Sequence, residues 1–587
     1  MNNYNEQPGA NKQPVANKQV SIWRYRVVQA ALLIAVALIG YRIVDLQLIN
    51  RHFLQSEGDK RAVRYESIAA HRGVIFDRNN KPLAVSTPVV TIWAMPEELY
   101  EASKRWPELA KALEVSPSWL KKRVTAVKDK EFMYLKRQMT PEDAAAIMAL
   151  KVPGVYSRKE QRRFYPAGEV AAHLVGFTNI DEVGQEGLEL AYNNWLTGEP
   201  GRQRVMKDRK GQVIRQAELI KSSRPGNELM LSIDLRLQYM AYRELKKAVE
   251  TYRAEAGSLV MLDVQTGEVL AMVNQPAYNP NNRAGMQAYR MRNRVVTDVM
   301  EPGSSIKPFT IAAALESGSY TKDTVIETGN GYMRLDRNDV RDTGGYGSID
   351  VTTVLSKSSN IGVTKMALDI GPDKVTEMIQ RMGFGQSTGV GFPGESTGYV
   401  PYRDRWSNIQ TATLSFGYGL TVTPLQLAQA YLAIGSGGMM RPVSLIKRDV
   451  APEGVRVLDE GIAKDIRSML HAVVQKGGTG TRARVPFYEV GGKTGTARKV
   501  GQNGYEKDRY ISVFAGLAPI DNPRLAMVIV IDDPAGNVYY GGATAAPVFS
   551  SVAAGALRIL AIEPEQKQVM AADAGGQMLF RTTGSYN

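Results

Sequence analysis

The chain has 587 residues and a mass of 64.6 kDa, beyond the size of one ordinary core, so two or three domains are expected. Hydrophobic residues make up 44% and charged residues 22%, which excludes a wholly disordered or collagen-like chain. There is no cysteine and there are four histidines, His52, His71, His173 and His471, which rules out disulfides, zinc thiolates and a cysteine nucleophile. A transfer enzyme of this composition takes its base from Lys, Asp or Glu.

The net charge of +14 is uneven. Residues 51–225 hold 30 Lys/Arg against 22 Asp/Glu, more than half of the excess. The best basic run, Lys121-Lys122-Arg123 through Lys128 to Lys130, looks helical and lacks interleaved aromatics. It reads as a solvated face, suited also to an anionic membrane or polymer nearby, and nucleic acid is not an expected partner.

Residues 1–22 are rich in Asn, Gln and Pro and read as a disordered cytoplasmic tail. Arg24 and Arg26 precede an apolar stretch over 27–41, broken only by Gln29. Apolar residues resume beyond Arg42, an arginine near a helix end can snorkel, and one transmembrane anchor over 23–46 is expected. Ala35-Val36-Ala37 resembles a cleavage site but lies inside the apolar run, which favours an uncleaved anchor. Lys12, Lys18, Arg24 and Arg26 keep the tail in the cytoplasm, so everything after residue 50 lies outside.

Residues 51–225 give strands at 65–74 and 89–93, helices at 97–113 and 141–150, dense turns and no catalytic cluster. They read as a pedestal or interaction module. After the linker Ser223-Arg224-Pro225-Gly226 comes a second domain, 226–565, with a helix over 234–252 and a hairpin from 258–264 to 268–273. A helix-rich stretch leads to strands at 490–496, 511–517 and 525–531, then an Ala-rich helix over 545–560. The strand at 525–531 is continuously apolar, as a buried central strand would be. Strands at both ends with helices between predict an α+β domain. Residues 566–587 look like a tail.

Ser304-Ser305-Ile306-Lys307 is an S-x-x-K, preceded by the turn Pro302-Gly303 and followed by an apolar helix. Three other matches, Ser118/Lys121, Ser319/Lys322 and Ser444/Lys447, lack that context. A serine at a helix start sits where N–H groups favour developing negative charge, and a lysine one turn on, neutralised by burial and nearby cations, can serve as its base. Pro308 cannot donate to the Ser304 carbonyl, which needs another partner. Ser358-Ser359-Asn360 follows Ser304 by 54 residues, and Lys493-Thr494-Gly495-Thr496, the sole K-T-G, follows Asn360 by 133. Taken singly, Ser358 and Ser359 suit a helix cap and Lys493 suits the solubilising of an edge strand. The ordered set is the signature of penicillin-binding proteins and serine β-lactamases.

Further motifs extend the resemblance. Arg72-Gly73-Val74-Ile75-Phe76-Asp77-Arg78-Asn79, Arg163-Phe164-Tyr165-Pro166, Ala172-His173-Leu174-Val175-Gly176-Phe177 and Gly187-Leu188-Glu189 resemble the N-terminal module of class B penicillin-binding proteins. Glu301-Pro302-Gly303-Ser304, Phe416-Gly417-Tyr418-Gly419 and Thr423-Pro424-Leu425-Gln426 resemble that family's transpeptidase domain. Within the family the chain is most similar to the septal, FtsI-type transpeptidases of Gram-negative bacteria. The resemblance implies a β-lactamase-like domain with a central antiparallel sheet, D,D-transpeptidation of peptidoglycan stem peptides, and inhibition by β-lactams. It implies no cofactor and no metal.

Ser304 would be the nucleophile, Lys307 its base, Ser358 a proton relay, and Asn360 a holder of Lys307 and the substrate amide. Lys493 would set the local potential, and Thr494, Gly495 and Thr496 would line the substrate and β-lactam site, with both threonines on the substrate carboxylate. Backbone N–H groups of Ser304 and Thr496 would form the oxyanion hole. An FtsW-type polymerase and other divisome membrane proteins would be partners, at the septal inner membrane. The motifs alone do not separate a transpeptidase from a D,D-carboxypeptidase, an elongation paralogue or a β-lactam sensor. No Glu-x-x-Leu-Asn follows Ser358, which argues against a class A β-lactamase.

Overall fold

The computed structural model describes residues 22–207, 213–501, 504–564, 568–572 and 578–582. Apart from Ile22, the tail expected over 1–22 lies outside the described residues. The chain divides into two compact units, one of residues up to Ala69 with Pro200–Ser223, the other of Ala70–Glu199 with everything from Arg224.

In the first unit the helix Ile22–Val44 continues into a π-helical turn, Asp45–Ile49. Its most apolar window has a mean hydropathy of 2.2, and among the described residues it is the one helix long and apolar enough to cross a membrane. No residue of Ile22–Val44 is buried against protein, as a lipid-facing helix requires. At its end Asp45 accepts from Arg42 Nη1 at 2.5 Å and from Asn50 Nδ2 at 2.5 Å. Strands Val63–Ile68, Gly201–Lys207 and Val213–Lys221 form an antiparallel sheet in that order.

In the second unit, residues 70–199 are built on the strand Pro82–Ala94, which pairs with Val155–Phe164 along ten residues and with Met133–Met139. The single helix expected over 97–113 is two, Pro96–Glu101 and Trp106–Leu113. Pro107 starts the second, in a first turn where its missing N–H is harmless. The basic run is likewise shorter than expected: the helix Pro117–Ala126 holds Lys121, Lys122 and Arg123 and ends before Lys128. The strand expected over 65–74 stops at Ile68. Ile75–Phe76 pairs instead with Leu229–Met230, in parallel, and with the start of Pro82–Ala94. Beneath this sheet Glu189, fully buried, receives Arg72 Nε at 2.7 Å and Arg163 Nε at 2.6 Å.

The remainder is the expected α+β domain. Helix α1 (Leu235–Thr251) precedes strands β1 (Ala256–Asp263) and β2 (Val269–Gln275). Helices α2 (Lys307–Glu316), α3 (Asn360–Ile370) and α4 (Pro424–Gly435) intervene before β3 (Gly491–Gly501), β4 (Gly504–Ala518), β5 (Leu525–Asp532) and helix α5 (Gly541–Ile559). The strands run β2-β1-β5-β4-β3, all antiparallel, so β5 is central and β3 is an edge. Alternate residues of β5 enter different cores. Met527, Ile529 and Ile531 pack with Leu245 of α1 and Phe549 of α5, whereas Val528 and Val530 pack with Phe309 of α2 and Tyr431 of α4. Burial on both faces explains a strand without polar alternation. Of the expected C-terminal tail, Gln568–Ala572 and Met578–Thr582 pair antiparallel; the rest lies outside the described residues.

Candidate active site

Gly303–Ile306 form a 3-10 turn that feeds into α2. This tighter turn solves the difficulty posed by Pro308, because the Ser304 carbonyl accepts the N–H of Lys307. Tyr431 Oη of α4 donates to the Ser305 carbonyl at 2.9 Å, and Ser305 Oγ donates to Pro302 O at 2.7 Å. Backbone surrounds the turn on two sides. A Cβ on Gly417 would lie 2.1 Å from Gly303 O, and one on Gly495 would lie 2.9 Å from Pro302 O. Gly303 itself has φ of +51° and faces the Thr496 backbone, which a Cβ there would approach at 3.3 Å. Ser304, half-buried, thus sits between the Phe416-Gly417-Tyr418-Gly419 loop and β3.

Ser358 and Ser359 play different local parts. Ser359 is the N-cap of α3, accepting from Gly362 N at 2.9 Å. Ser358 ends the preceding helix, Val351–Lys357, in a left-handed conformation with φ of +61°. That conformation is unusual for a serine, and the surrounding structure must hold it. Asp342, after a neighbouring hairpin, anchors the three residues that follow Ser358. Its carboxylate accepts from Asn360 N at 2.5 Å, Ile361 N at 3.1 Å and Ser359 Oγ at 2.5 Å. Asn360 Nδ2 donates to Arg341 O at 2.9 Å, which leaves its Oδ1 facing the site.

Two fully buried lysines meet there. Lys307 Nζ donates to Ser358 O at 2.6 Å and Asn360 Oδ1 at 2.7 Å, and lies 3.2 Å from Ser358 Oγ. Lys493 Nζ donates to the same Ser358 Oγ at 2.9 Å. Although β3 is an edge strand, Lys493 is wholly shielded, so the solubilising reading fails. Burial, and then the charge of Lys493, holds Lys307 well below the ordinary lysine range, while Asp342 opposes the shift. Burial lowers Lys493 to about 7. A neutral amine at Lys307 has two protons, matched by the two short contacts, and a lone pair left over.

The two K-T-G threonines also differ. Thr494 Oγ1 donates to Thr479 Oγ1 at 3.0 Å, so its proton is engaged. Thr496 Oγ1 accepts from Gly541 N at 3.1 Å, which leaves its own proton to give. Gly495, between them, backs onto the Gly303–Ile306 turn. The expected Ser304, Lys307, Ser358, Asn360, Lys493 and Thr496 are therefore gathered in one place. Asp342 and Thr479 were not expected. A lone acid after a charged hairpin and a threonine in a Gly-rich loop carry no sequence signal of their own.

Such a grouping can ionise a serine hydroxyl, stabilise an oxyanion and bind a carboxylate without histidine. A family model described as the penicillin-binding protein transpeptidase domain matches residues 257–554, and one described as the penicillin-binding protein dimerisation domain matches 67–231. The chain is 45% identical to the peptidoglycan D,D-transpeptidase FtsI of Escherichia coli K12 over 548 residues, 92% of this chain and 93% of that one. It is 39% identical to the probable peptidoglycan D,D-transpeptidase PenA of Neisseria meningitidis serogroup A over 565 residues, 96% of this chain and 97% of that one. Penicillin-binding protein 3 of Mycobacterium tuberculosis, solved with aztreonam, matches with a TM-score of 0.66 at 29% identity, over 85% of this chain and 98% of that one. The transpeptidase domain of penicillin-binding protein 3 from Burkholderia pseudomallei matches at 0.53 and 43% identity, over 57% of this chain and 97% of that one. An FtsI relative aligned over nearly the whole length, with both domain models in order, means that this chain belongs to the class B penicillin-binding proteins of the FtsI type.

Proposed function

We propose that the chain is a septal peptidoglycan D,D-transpeptidase working through a Ser304 acyl-enzyme, with its catalytic domain in the periplasm. The observation that carries the mechanism is the meeting at Ser358 of Lys493 with Lys307, which itself lies one helical turn from Ser304. Lys307, pushed by burial toward its neutral form, takes the Ser304 proton as Oγ bonds to the carbonyl carbon of the penultimate D-Ala. The oxyanion is held by the N–H groups of Ser304 and Thr496, whose backbones lie close because Gly303 has no side chain. As the tetrahedral species collapses, the C–N bond breaks. The proton passes from Lys307 through Ser358 Oγ to the leaving nitrogen, and D-Ala departs.

The side-chain amine of diaminopimelate on a neighbouring stem then attacks the ester carbonyl. It gives its proton back along the same path, and Ser304 is restored. Asn360 Oδ1 holds Lys307 in place, and its amide serves the substrate backbone. Lys493 supplies the positive potential for the substrate carboxylate, Thr496 donates to that group, and Thr494 acts as an oriented neighbour. β-Lactams acylate Ser304 as mimics of the D-Ala end. The septal assignment rests on the FtsI relatives. The uncovered helix Ile22–Val44 supports docking of an FtsW-type polymerase and other divisome membrane proteins through the anchor and the N-terminal module.

Intact mass with and without benzylpenicillin, run beside Ser304→Ala, tests the mechanism. A stable one-penicilloyl adduct lost in the variant supports the acyl-enzyme. Absence of an adduct while the drug is consumed would make the chain a hydrolase, and absence with the drug intact would make it a scaffold. A fluorescent fusion spread along the lateral wall rather than at the septum would reassign it to elongation.

A further inference from the structure

Between Phe392 and the helix Asn408–Ser415 runs a segment without regular structure, Gly398-Tyr399-Val400-Pro401-Tyr402-Arg403-Asp404-Arg405-Trp406-Ser407. Pro401 is buried and Val400 packs on the core, whereas Tyr399 is 57% and Tyr402 81% exposed. Arg403 lies with its guanidinium 5.8 Å from the centre of the Trp406 ring. Among the described residues neither Arg403 nor Arg405 has an ion-pair partner. Two large aromatics and two arginines without ion-pair partners stand together facing solvent, a combination that suits a ligand with both apolar faces and carboxylates.

The place of this strap matters as much as its composition. Tyr399 bridges Thr421, and the next residue, Val422, bridges Met300, four residues before Ser304. Extended segments lie about 4.8 Å apart, so the Tyr399 backbone is roughly 10 Å to the side of the segment that carries the nucleophile. The far end of the strap enters the helix Asn408–Ser415, whose Ile409 and Ala412 pack on Ile361 beside Asn360. Both ends are thus fixed to walls of the site.

We infer that residues 399–406 are a binding strip for the glycan end of the stem-bearing strand, a reading that rests on the transpeptidase function above. A stem whose penultimate residue sits at Ser304 carries three further residues before the sugar, and three extended residues span about 10 Å. That reach is of the same order as the offset of the strap from the Met300 segment. Aromatic faces suit the C–H faces of saccharide rings, and the arginines suit the carboxylates along the stem. Benzylpenicillin, which mimics the D-Ala end, lacks the sugar and the upper stem that would meet the strip.

The test uses the full chain in detergent with Tyr402→Ser, Arg403→Gln and the double variant, all at exposed positions. Cross-linking of uncross-linked glycan strands bearing intact stems should fall at least fivefold at sub-saturating strand. Aminolysis of a sugar-free stem peptide and acylation by benzylpenicillin should stay within twofold of wild type. Undiminished cross-linking of strands would overturn the inference. So would an equal fall in all three reactions, since the strap would then act by positioning Met300 and Ser304. A wild-type chain that benzylpenicillin does not acylate would overturn the transpeptidase reading itself, and this inference with it.

Discussion

Lys307 and Lys493 share one hydroxyl: Ser358 Oγ stands 3.2 Å from the first Nζ and 2.9 Å from the second. Two ammonium groups so placed, both fully buried, repel each other and lack water. The pair therefore favours one proton fewer than two free lysines would carry.

A pH profile should report this. With burial lowering it to about 7, Lys493 gives up its proton around neutral pH, whereas Lys307 can fill its proposed role as base only without one. Acylation of Ser304 by benzylpenicillin should trace a bell whose two apparent constants belong to the pair. Lys493→Arg, which stays charged, should move the falling limb up by more than about one pH unit. An unmoved limb in a rapid-quench series would remove Lys493 from that role.

The same shift acts on stability. In the unfolded chain Lys493 titrates near its ordinary 10.5, so between about 7 and 10.5 the unfolded state binds more protons than the folded one. Stability should therefore rise with pH across that window, and below it the buried lysine is a burden. Lys493→Met is expected to raise the unfolding temperature at pH 7 by about 2–4 °C while abolishing acylation. Calorimetry of both proteins at pH 7 and pH 9.5 checks the sign, since the difference should shrink at the higher pH.

Asp342 is expected to matter without touching substrate. Asp342→Ala leaves the N–H groups of Asn360 and Ile361 without their acceptor and frees Ser359, so the Ser358 turn should relax. Acylation should fall by about 10- to 100-fold. Asp342→Asn keeps an acceptor and should lose less. By removing the charge that raises Lys307, it should also shift the rising limb of the pH profile downward.

Glu189 tests the N-terminal module. Glu189→Ala strands two buried guanidiniums, Arg72 and Arg163, at a cost of about 3–5 kcal/mol. Limited proteolysis should then cut within residues 70–199 first, while benzylpenicillin still labels Ser304. Loss of labelling at the same rate as proteolysis would mean that the two parts unfold together.

Gly417→Ala should be severe. Its Cβ would fall 2.1 Å from Gly303 O at a position whose φ is +90°. We expect labelling of Ser304 to drop by about 100-fold or more, from displacement of the turn. Gly419→Ala, strained by its φ of +78° but with open space around the Cβ, should drop less.

The legible part of this fold was the part governed by pattern. The apolar run of β5, the hairpin β1–β2 and the Asp234-capped helix α1 all follow from periodicity and turn chemistry. The S-x-x-K, S-x-N and K-T-G residues were legible because their order is rare, not because any one of them is. What pattern missed is set by contacts far apart in sequence. The break at Ile68 answers to the pairing of Ile75–Phe76 with Leu229–Met230. Asp342 anchors Ser359, the residue after Ser358, and the proton of Thr494 is claimed by Thr479. The burial of Lys493 on an edge strand reverses its local meaning, and no neighbour in sequence announces it.

The glycines around Ser304 have an evolutionary consequence. Gly303, Gly417 and Gly495 press main chain against main chain, so around the turn that carries Ser304 there is no room for selection to add a side chain. On the proposed function, a lineage under antibiotic pressure must keep a ligand that the drug copies, beside a turn whose backbone cannot give way. Its room to manoeuvre lies further out, in residues that the long natural polymer reaches and a compact drug does not.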